Sequence, residues 1–332
     1  MKILVTLPKD QIRDTFIPQE VAEKIKSLGE TIWNDSKELL TADELHEMLC
    51  DVDVCITGWG CCKFNGYVLE NANKLKIIAH TGGTVASIVS EPLFEKGIKV
   101  ISGNNLYAES VAEGVIAYML SSLRNIPYYA HKMTLDGWEK NPYSEGLIGQ
   151  TVGLIGFGMI TKHLVRMLKP FNVKVKVYSR HLREETIKEY GLESASMEEI
   201  FKTCKVISIH SALRPETHHI IDRKLLSMIP EGSILVNTAR GSIIDEKALE
   251  EELETRRFKA VLDVFEVEPL PNESKLRKLS NVILIPHMGG PTVDRRKFVT
   301  LALIEDIKRY FNGEGLKNEI TREYASVMTN LV

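Results

Sequence analysis

The sequence predicts an α/β protein of two domains, each built on a parallel sheet, and three observations carry that expectation. Short β-branched runs alternate with helical patterns from the first residues onward. The alternation breaks once, at a long helical segment followed by polar turn residues, and then resumes. Finally, 332 residues with 44% hydrophobic content exceed the usual single domain and can fill more than one core.

The first half reads as a βα array. KILVT (2 to 6), VDVCIT (52 to 57), KIIA (76 to 79) and KVI (99 to 101) have the apolar character of buried strands. Between them PQEVAEKIKSLG and TADELHEMLCD carry apolar residues at helical spacing, the second opening with a capping box from Thr41 to Glu44. The segment AESVAEGVIAYMLSSLR (108 to 124) reads as a linking helix, and a turn-rich stretch from about 134 to 149 follows it. TVGLI, KVKVY, KVISI, SILVN, AVLDV and NVILIP then supply six further strands, enough for a dinucleotide-binding sheet. The last long helix is expected over 292 to 312, ended by Gly313.

Composition narrows the function classes. The net charge of -3 comes from acidic and basic residues mixed along the chain, which gives no footprint for nucleic acid and no polybasic membrane patch. No run approaches a membrane span and the N-terminal apolar run is too short for a signal peptide, so a cytoplasmic location is expected. The five cysteines, Cys50, Cys55, Cys61, Cys62 and Cys204, match neither a disulfide framework nor a zinc site, and we expect them to be reduced, with no metal. The expected partner is a small molecule.

GLIGFGMIT puts Gly156 and Gly158 between the strand TVGLI and the helix MITKHLVRML. Without a Cβ at Gly156 the chain can turn tightly, and without one at Gly158 a pyrophosphate can approach the helix N-terminus, whose free N–H groups favour an anion. Thr161 stands where a third glycine usually serves helix–strand packing, and it is expected to spread that packing slightly. The context makes this a Rossmann dinucleotide site.

Three later strand ends each offer one polar residue of a different kind. SILVNTARGSIIDEKAL places Arg240 just past a strand, AVLDVFEVEP places Asp263 at a strand end with Glu268 beyond it, and NVILIPHMGGPT places His287 between Pro286 and a glycine pair. Ligands bind at the carboxyl ends of the strands in open α/β sheets. Reduction of a 2-oxo acid needs a hydride, a proton for the developing alkoxide and a cation for the carboxylate. A histidine can give the proton, a carboxylate can orient the imidazole, and a guanidinium can grip the acid. Singly, each residue also fits a surface or core role.

The strand KVKVY bears on cofactor choice. An NAD site normally carries an acid about 20 residues beyond the glycines. Here Ser179, Arg180 and His181 follow, with no acid before Glu184, so NADPH is expected to be preferred and NADH to be usable.

These motifs, with HSALRPETHHIID (210 to 222), VNTARGSIIDEKAL (236 to 249), LDVFEVEP (262 to 269) and LIPHMGGPT (284 to 292), resemble those of the D-2-hydroxyacid dehydrogenases. The resemblance covers nearly the whole chain. It implies a flavodoxin-like parallel-sheet substrate domain from residues 1–103 plus 292–332, a Rossmann domain from 104–291, and closure of the two over substrate. It implies that Arg240 binds substrate carboxylate and carbonyl, that His287 donates the proton and that Glu268 pairs with it. Met159, Ile160, His210, Thr217, Thr238 and Ala239 fall at cofactor positions, Asp263 at the nicotinamide carboxamide, and Gly82 and Gly83 at main-chain contacts to the substrate carboxylate. It further implies a homodimer, for which the recurrence of Val111, Val115, Met119 and Leu123 and the arm bearing Trp138 are the sequence features.

The chain departs from the family in two places: Ala86 stands near a usual aspartate, and Ala212 replaces a common proline. Within the family, glyoxylate or hydroxypyruvate reduction is expected. Phosphoglycerate dehydrogenase is the alternative, against which the loop 58 to 66 offers only Lys63 as a cation. Formate dehydrogenases carry glutamine at the place of Glu268. NAD-sensing co-repressors share the three site residues but add a recruiting tail, and the sequence here ends at Val332, shortly after the last helix.

Overall fold

The computed structural model describes residues 1–135, 137–138, 144–180 and 182–329. His181 and part of the turn-rich stretch thus lie outside the described residues. The chain divides into two compact units, Met1–Tyr107 with Pro291–Val332, and Ala108–Gly290.

In the first unit β1 (Lys2–Val5), β2 (Glu30–Trp33), β3 (Val54–Thr57), β4 (Ile77–His80) and β5 (Lys99–Ser102) form a parallel sheet in the order β2-β1-β3-β4-β5. That order is flavodoxin-like. Helices α1 (Gln11–Phe16), α2 (Gln19–Leu28), α3 (Ala42–Met48) and α4 (Glu91–Glu95) connect the strands. The capping box at Thr41 is formed, with Thr41 and Glu44 each bonding the other's backbone. Successive residues of a strand face opposite sides. Ile3, Val5, Val54 and Ile56 therefore join one core layer, and Leu4 and Cys55 join the other.

Helix α5 (Asn104–Leu123) starts in the first unit and continues into the second, and α6 (Ile126–Leu135) follows. The unit boundary falls inside α5, four residues after the break expected at residue 103, because its first turn packs in the first unit. There Tyr107 accepts a hydrogen bond from the Trp59 indole at 3.1 Å.

The second unit holds β6 (Thr151–Ile155), β7 (Lys174–Tyr178), β8 (Glu193–Ser194), β9 (Val206–Ile209), β10 (Ile234–Asn237), β11 (Lys259–Leu262) and β12 (Val282–Leu284). All pairs are parallel, in the order β12-β11-β10-β9-β6-β7-β8. Helices α7 (Met159–Leu168), α8 (Glu184–Tyr190), α9 (Met197–Thr203), α10 (Arg223–Ser227) and α11 (Glu246–Glu254) cover it. The chain reverses its winding direction after β8, crossing from the sheet edge back to β9 beside β6. The carboxyl ends of β6 and β9 are thus the switch point where such sheets bind ligands.

One expectation is corrected here. Val115, Met119 and Leu123 are buried among Val152, Leu154 and Val236 of their own unit, with Val111 packed against them. This stripe is core rather than a subunit surface. A group of exposed apolar residues follows it, on α6 and beyond: Ile126, Tyr128, Met133, Leu135 and Trp138.

Helix α12 (Val293–Phe311) returns to the first unit, packing beside α1 and α2 and over β4 and β5, with Val299, Leu303, Ile304 and Ile307 buried in the same core layer as Ile77, Ala79 and Ile101. Gly313 ends it at a positive φ of 74°, and α13 (Arg322–Val327) closes the chain. No helix among the described residues is long and apolar enough to cross a membrane.

Candidate active site

Gly156 follows β6 with φ at 103°, a conformation that side chains rarely adopt. A Cβ there would stand 2.8 Å from the Ser211 nitrogen beyond β9, so only glycine lets the two strand ends close up. Gly158 precedes the first residue of α7, Met159, and a Cβ on it would meet nothing within 4 Å. The space above the first-turn N–H groups of Met159 and Ile160 is open, and no acid stands in that turn, as an anion site requires. Thr161 is wholly buried and donates its hydroxyl proton to the Gly156 carbonyl at 3.0 Å. It pins the glycine turn to the helix.

The neighbouring strand ends carry the other cofactor candidates. His210, just past β9, is buried with Nε2 on the Ser208 hydroxyl at 2.9 Å, and burial pushes its pKa down to about 4, so the ring is neutral. Its Nδ1, the Thr238 hydroxyl past β10 and the Arg240 Nε are buried without hydrogen-bond partners among the described residues. Buried polar atoms rarely go unsatisfied in a folded protein, and three at adjacent strand ends fit a polar ligand such as a nicotinamide dinucleotide. Thr217 is committed locally: its hydroxyl bonds the Ala212 and Arg214 carbonyls at 2.7 and 3.1 Å and so holds the loop after β9. Ala212 enters that loop through its carbonyl alone. Ser179 is half-buried just past β7, and the exposed Arg180 donates Nη2 to the Glu216 carbonyl at 3.2 Å. Since β6 lies between β7 and β9, this side chain reaches across the end of the glycine strand.

Around Arg240 the turn is shaped by Asn237, which sequence reasoning did not single out. At the end of β10 its amide donates to the Arg240 carbonyl at 3.0 Å and accepts from the Ala239 N–H at 3.1 Å. The guanidinium donates Nη1 to the Ala239 carbonyl at 2.6 Å. Burial draws its pKa down, opposed by the charge of Glu268. Arginine keeps its charge under such a shift.

His287 sits past β12 with φ at 51°, and its Nδ1 bonds the Glu268 Oε2 at 2.6 Å. The Glu268 Oε1 accepts from the Phe265 N–H at 3.0 Å, so the carboxylate is fixed at both oxygens. Asp263 holds the strained histidine turn: its carboxylate accepts the Met288 and Gly289 N–H groups at 2.7 and 2.8 Å. A Cβ on Gly289 would lie 2.7 Å from that carboxylate. Burial raises the Asp263 pKa and these two hydrogen bonds oppose the rise. Arg240, Glu268 and His287 thus gather beyond the carboxyl ends of β10, β11 and β12.

In the first unit Gly82 and Gly83 follow β4 and are buried. A Cβ on Gly82 would stand 2.3 Å from the His80 Nε2 and 2.9 Å from the Trp59 ring, and the Gly83 carbonyl accepts from the Ser102 hydroxyl at 3.2 Å. His80 itself is buried on the Thr57 hydroxyl at 2.9 Å, with its pKa pushed down to about 4. Ala86 donates its N–H to the Thr84 hydroxyl at 3.3 Å.

A glycine turn at the switch point of a seven-stranded parallel sheet defines a dinucleotide-binding α/β protein. Comparison with known proteins makes this specific. Residues 116–289 match the family model described as D-isomer specific 2-hydroxyacid dehydrogenase, NAD binding domain. The chain is 35% identical over 325 residues to the D-3-phosphoglycerate dehydrogenase of Methanocaldococcus jannaschii, covering 96% of this chain but 59% of that protein. It is 36% identical over 276 residues to the hydroxypyruvate reductase of Thermotoga maritima, covering 82% of this chain and 89% of that one. Among solved structures, the TT0316 protein of Thermus thermophilus superimposes with a TM-score of 0.78 at 27% identity, over 97% of this chain and 100% of that one. The chain belongs to the D-isomer specific 2-hydroxyacid dehydrogenase family, oxidoreductases that act on CH–OH groups with a nicotinamide dinucleotide.

Proposed function

We propose that this chain reduces a small 2-oxo acid to a D-2-hydroxy acid, with His287 as proton donor, Glu268 as its partner and Arg240 as the carboxylate ligand. The observation that carries the reading is the 2.6 Å contact between His287 Nδ1 and Glu268 Oε2 at the same strand ends as the Arg240 guanidinium, whose Nε is buried. A nicotinamide dinucleotide, when bound, supplies the hydride. Gly156, Gly158, Met159 and Ile160 hold its pyrophosphate, Ser179 and Arg180 its adenosine end, and His210, Thr217, Thr238, Ala239 and Asp263 the remainder.

The chain's own groups do the rest. Glu268 accepts the Nδ1–H of His287 and stabilises the charged ring, in which Nε2 carries the proton to be given. That proton passes to the oxygen that becomes the hydroxyl. Arg240 orients the substrate through its carboxylate in a charge-assisted contact, and Gly82 and Gly83 are proposed as main-chain donors to the same group. NADPH is the preferred cofactor on this reading, since an uncharged hydroxyl and a guanidinium stand where an acid would repel the extra phosphate. We also assign a homodimer, supported by the exposed apolar residues of α6 and Trp138.

The test is a panel of initial rates with glyoxylate, hydroxypyruvate, pyruvate, phenylpyruvate and 3-phosphohydroxypyruvate, each with both reduced cofactors. Turnover of glyoxylate or hydroxypyruvate as the best substrate is expected. Best turnover of 3-phosphohydroxypyruvate would establish the second reading, phosphoglycerate dehydrogenase, which the 35% identical relative favours. Turnover of none overturns both.

A further inference from the structure

Behind the Glu268–His287 pair lies a polar cluster that the reaction does not use. Glu266 accepts hydrogen bonds at Oε1 from the His219 Nε2 at 2.5 Å and from the Glu246 N–H at 3.2 Å, and its own N–H donates to the Glu246 Oε2 at 2.9 Å. Each glutamate therefore binds the other's backbone. The imidazole of His219 is stacked on that of His218, with centroids 3.9 Å apart. The His219 N–H is anchored on the Ser242 carbonyl at 2.9 Å, in the turn that follows Arg240.

The adjacent peptide gives this cluster a use. Phe265, next to Glu266, donates the N–H that fixes the Glu268 carboxylate. The orientation of Glu268, and through it that of His287, depends on the backbone at 265 and 266 staying in place. Burial and the negative charges of Glu266, Glu250 and Glu268 all bear on Glu246, so the two backbone N–H groups exchanged between Glu246 and Glu266 work against repulsion, and a further donor to Glu266 strengthens the arrangement. His219 supplies that donor from the turn beside Arg240. We infer that His219 and Glu266 are positioning residues for the Glu268–His287 pair, tying its loop to the Arg240 turn. The inference rests on the proposed roles of these three residues for its effect on rate, though not for its effect on geometry.

The experiment therefore reads both. His219→Leu and Glu266→Ala remove the tie, whereas His219→Gln and Glu266→Gln keep a donor and an acceptor in place. The low-field proton resonance of the His287 imidazole, assigned by its loss in His287→Ala, reports the bond to Glu268 whether or not the chain reduces any 2-oxo acid. We expect that resonance to broaden or vanish in the Leu and Ala variants and to persist in the Gln variants. With the best substrate of the panel, kcat should fall by ~10-fold or more in the first pair with KM for the cofactor unchanged, and recover toward wild type in the second. A retained resonance in folded His219→Leu, or Gln variants as impaired as the truncations, overturns the inference. His219 is partly exposed, so His219→Leu keeps the test open should Glu266→Ala fail to fold. A wild type inactive on every 2-oxo acid would instead remove the proposed reaction and leave the resonance to decide the geometry.

Discussion

Gly241 and Phe265 approach so closely that a Cβ on Gly241 would stand 1.9 Å from the Phe265 carbonyl carbon. The contact is backbone on backbone, with no flexible side chain to give way. Gly241→Ala must therefore separate the turn bearing Arg240 from the loop bearing Glu268. We expect a stability loss of roughly 1–3 kcal/mol from overpacking, and a fall in kcat larger than the loss of folded protein. Urea unfolding together with kcat per folded molecule checks this, and normal kcat in Gly241→Ala would sink it.

His287→Ala is expected to lower kcat by ~10² to 10⁴-fold, the scale of general acid–base catalysis, while leaving cofactor affinity near wild type. Steady-state rates and a cofactor fluorescence titration separate the two quantities. Near-normal turnover would remove His287 from the mechanism.

The charge at the end of β7 should set cofactor choice. Wild type is expected to favour NADPH, and Ser179→Asp/Arg180→Ala to shift the ratio of kcat/KM toward NADH by ~10 to 100-fold, the worth of one or two charge-assisted contacts. A wild-type preference for NADH, or a ratio that the double change leaves unmoved, contradicts this reading.

Subunit association should depend on the apolar residues of α6. We expect a dimer mass by sedimentation at micromolar concentration, and a monomer when Met133 and Leu135 are both changed to Asp. A wild-type monomer under those conditions rules the assignment out.

Two buried imidazoles make stability depend on pH. His80 and His210 have folded pKa values pushed down to about 4 from 6.5, so the unfolded chain binds their protons first as pH falls. Their neutral forms are retained at no cost above pH ~6.5, and stability is lost progressively as pH drops from there toward ~4. By pH ~5 the loss is about 2 kcal/mol for each residue. Urea midpoints at two pH values measure the slope, which should flatten in His80→Gln and in His210→Gln. An unchanged slope in both would falsify the assignment.

What the sequence makes legible follows from burial. Strands covered on both faces, such as Val54–Thr57 and Val206–Ile209, are almost continuous apolar runs and read as strands. The edge strand Glu30–Trp33 is only half-buried, and β8 is two exposed residues, so neither leaves an apolar signature. The stripe on α5 is visible, but periodicity reports that a face is covered and not what covers it. At the site the motifs name Arg240, Glu268 and His287, whose side chains carry chemistry. Asn237 and Glu266 act on backbone groups brought close only by folding, and in the sequence they are one amide and one acid among many.

The first unit is assembled from segments on either side of the second, with α12 packed against α1 and α2 some 280 residues earlier. Synthesis from the N-terminus therefore makes five strands long before the helix that completes the cover of one of their faces. The second unit is contiguous and has all its strands once residue 284 has emerged. Its core can close first, while Ile77, Ala79 and Ile101 wait for α12, which makes the N-terminal sheet the stretch most in need of protection from self-association on the ribosome. A frameshift or nonsense lesion near codon 290 would thus spare the segment just synthesised and cripple the one made first.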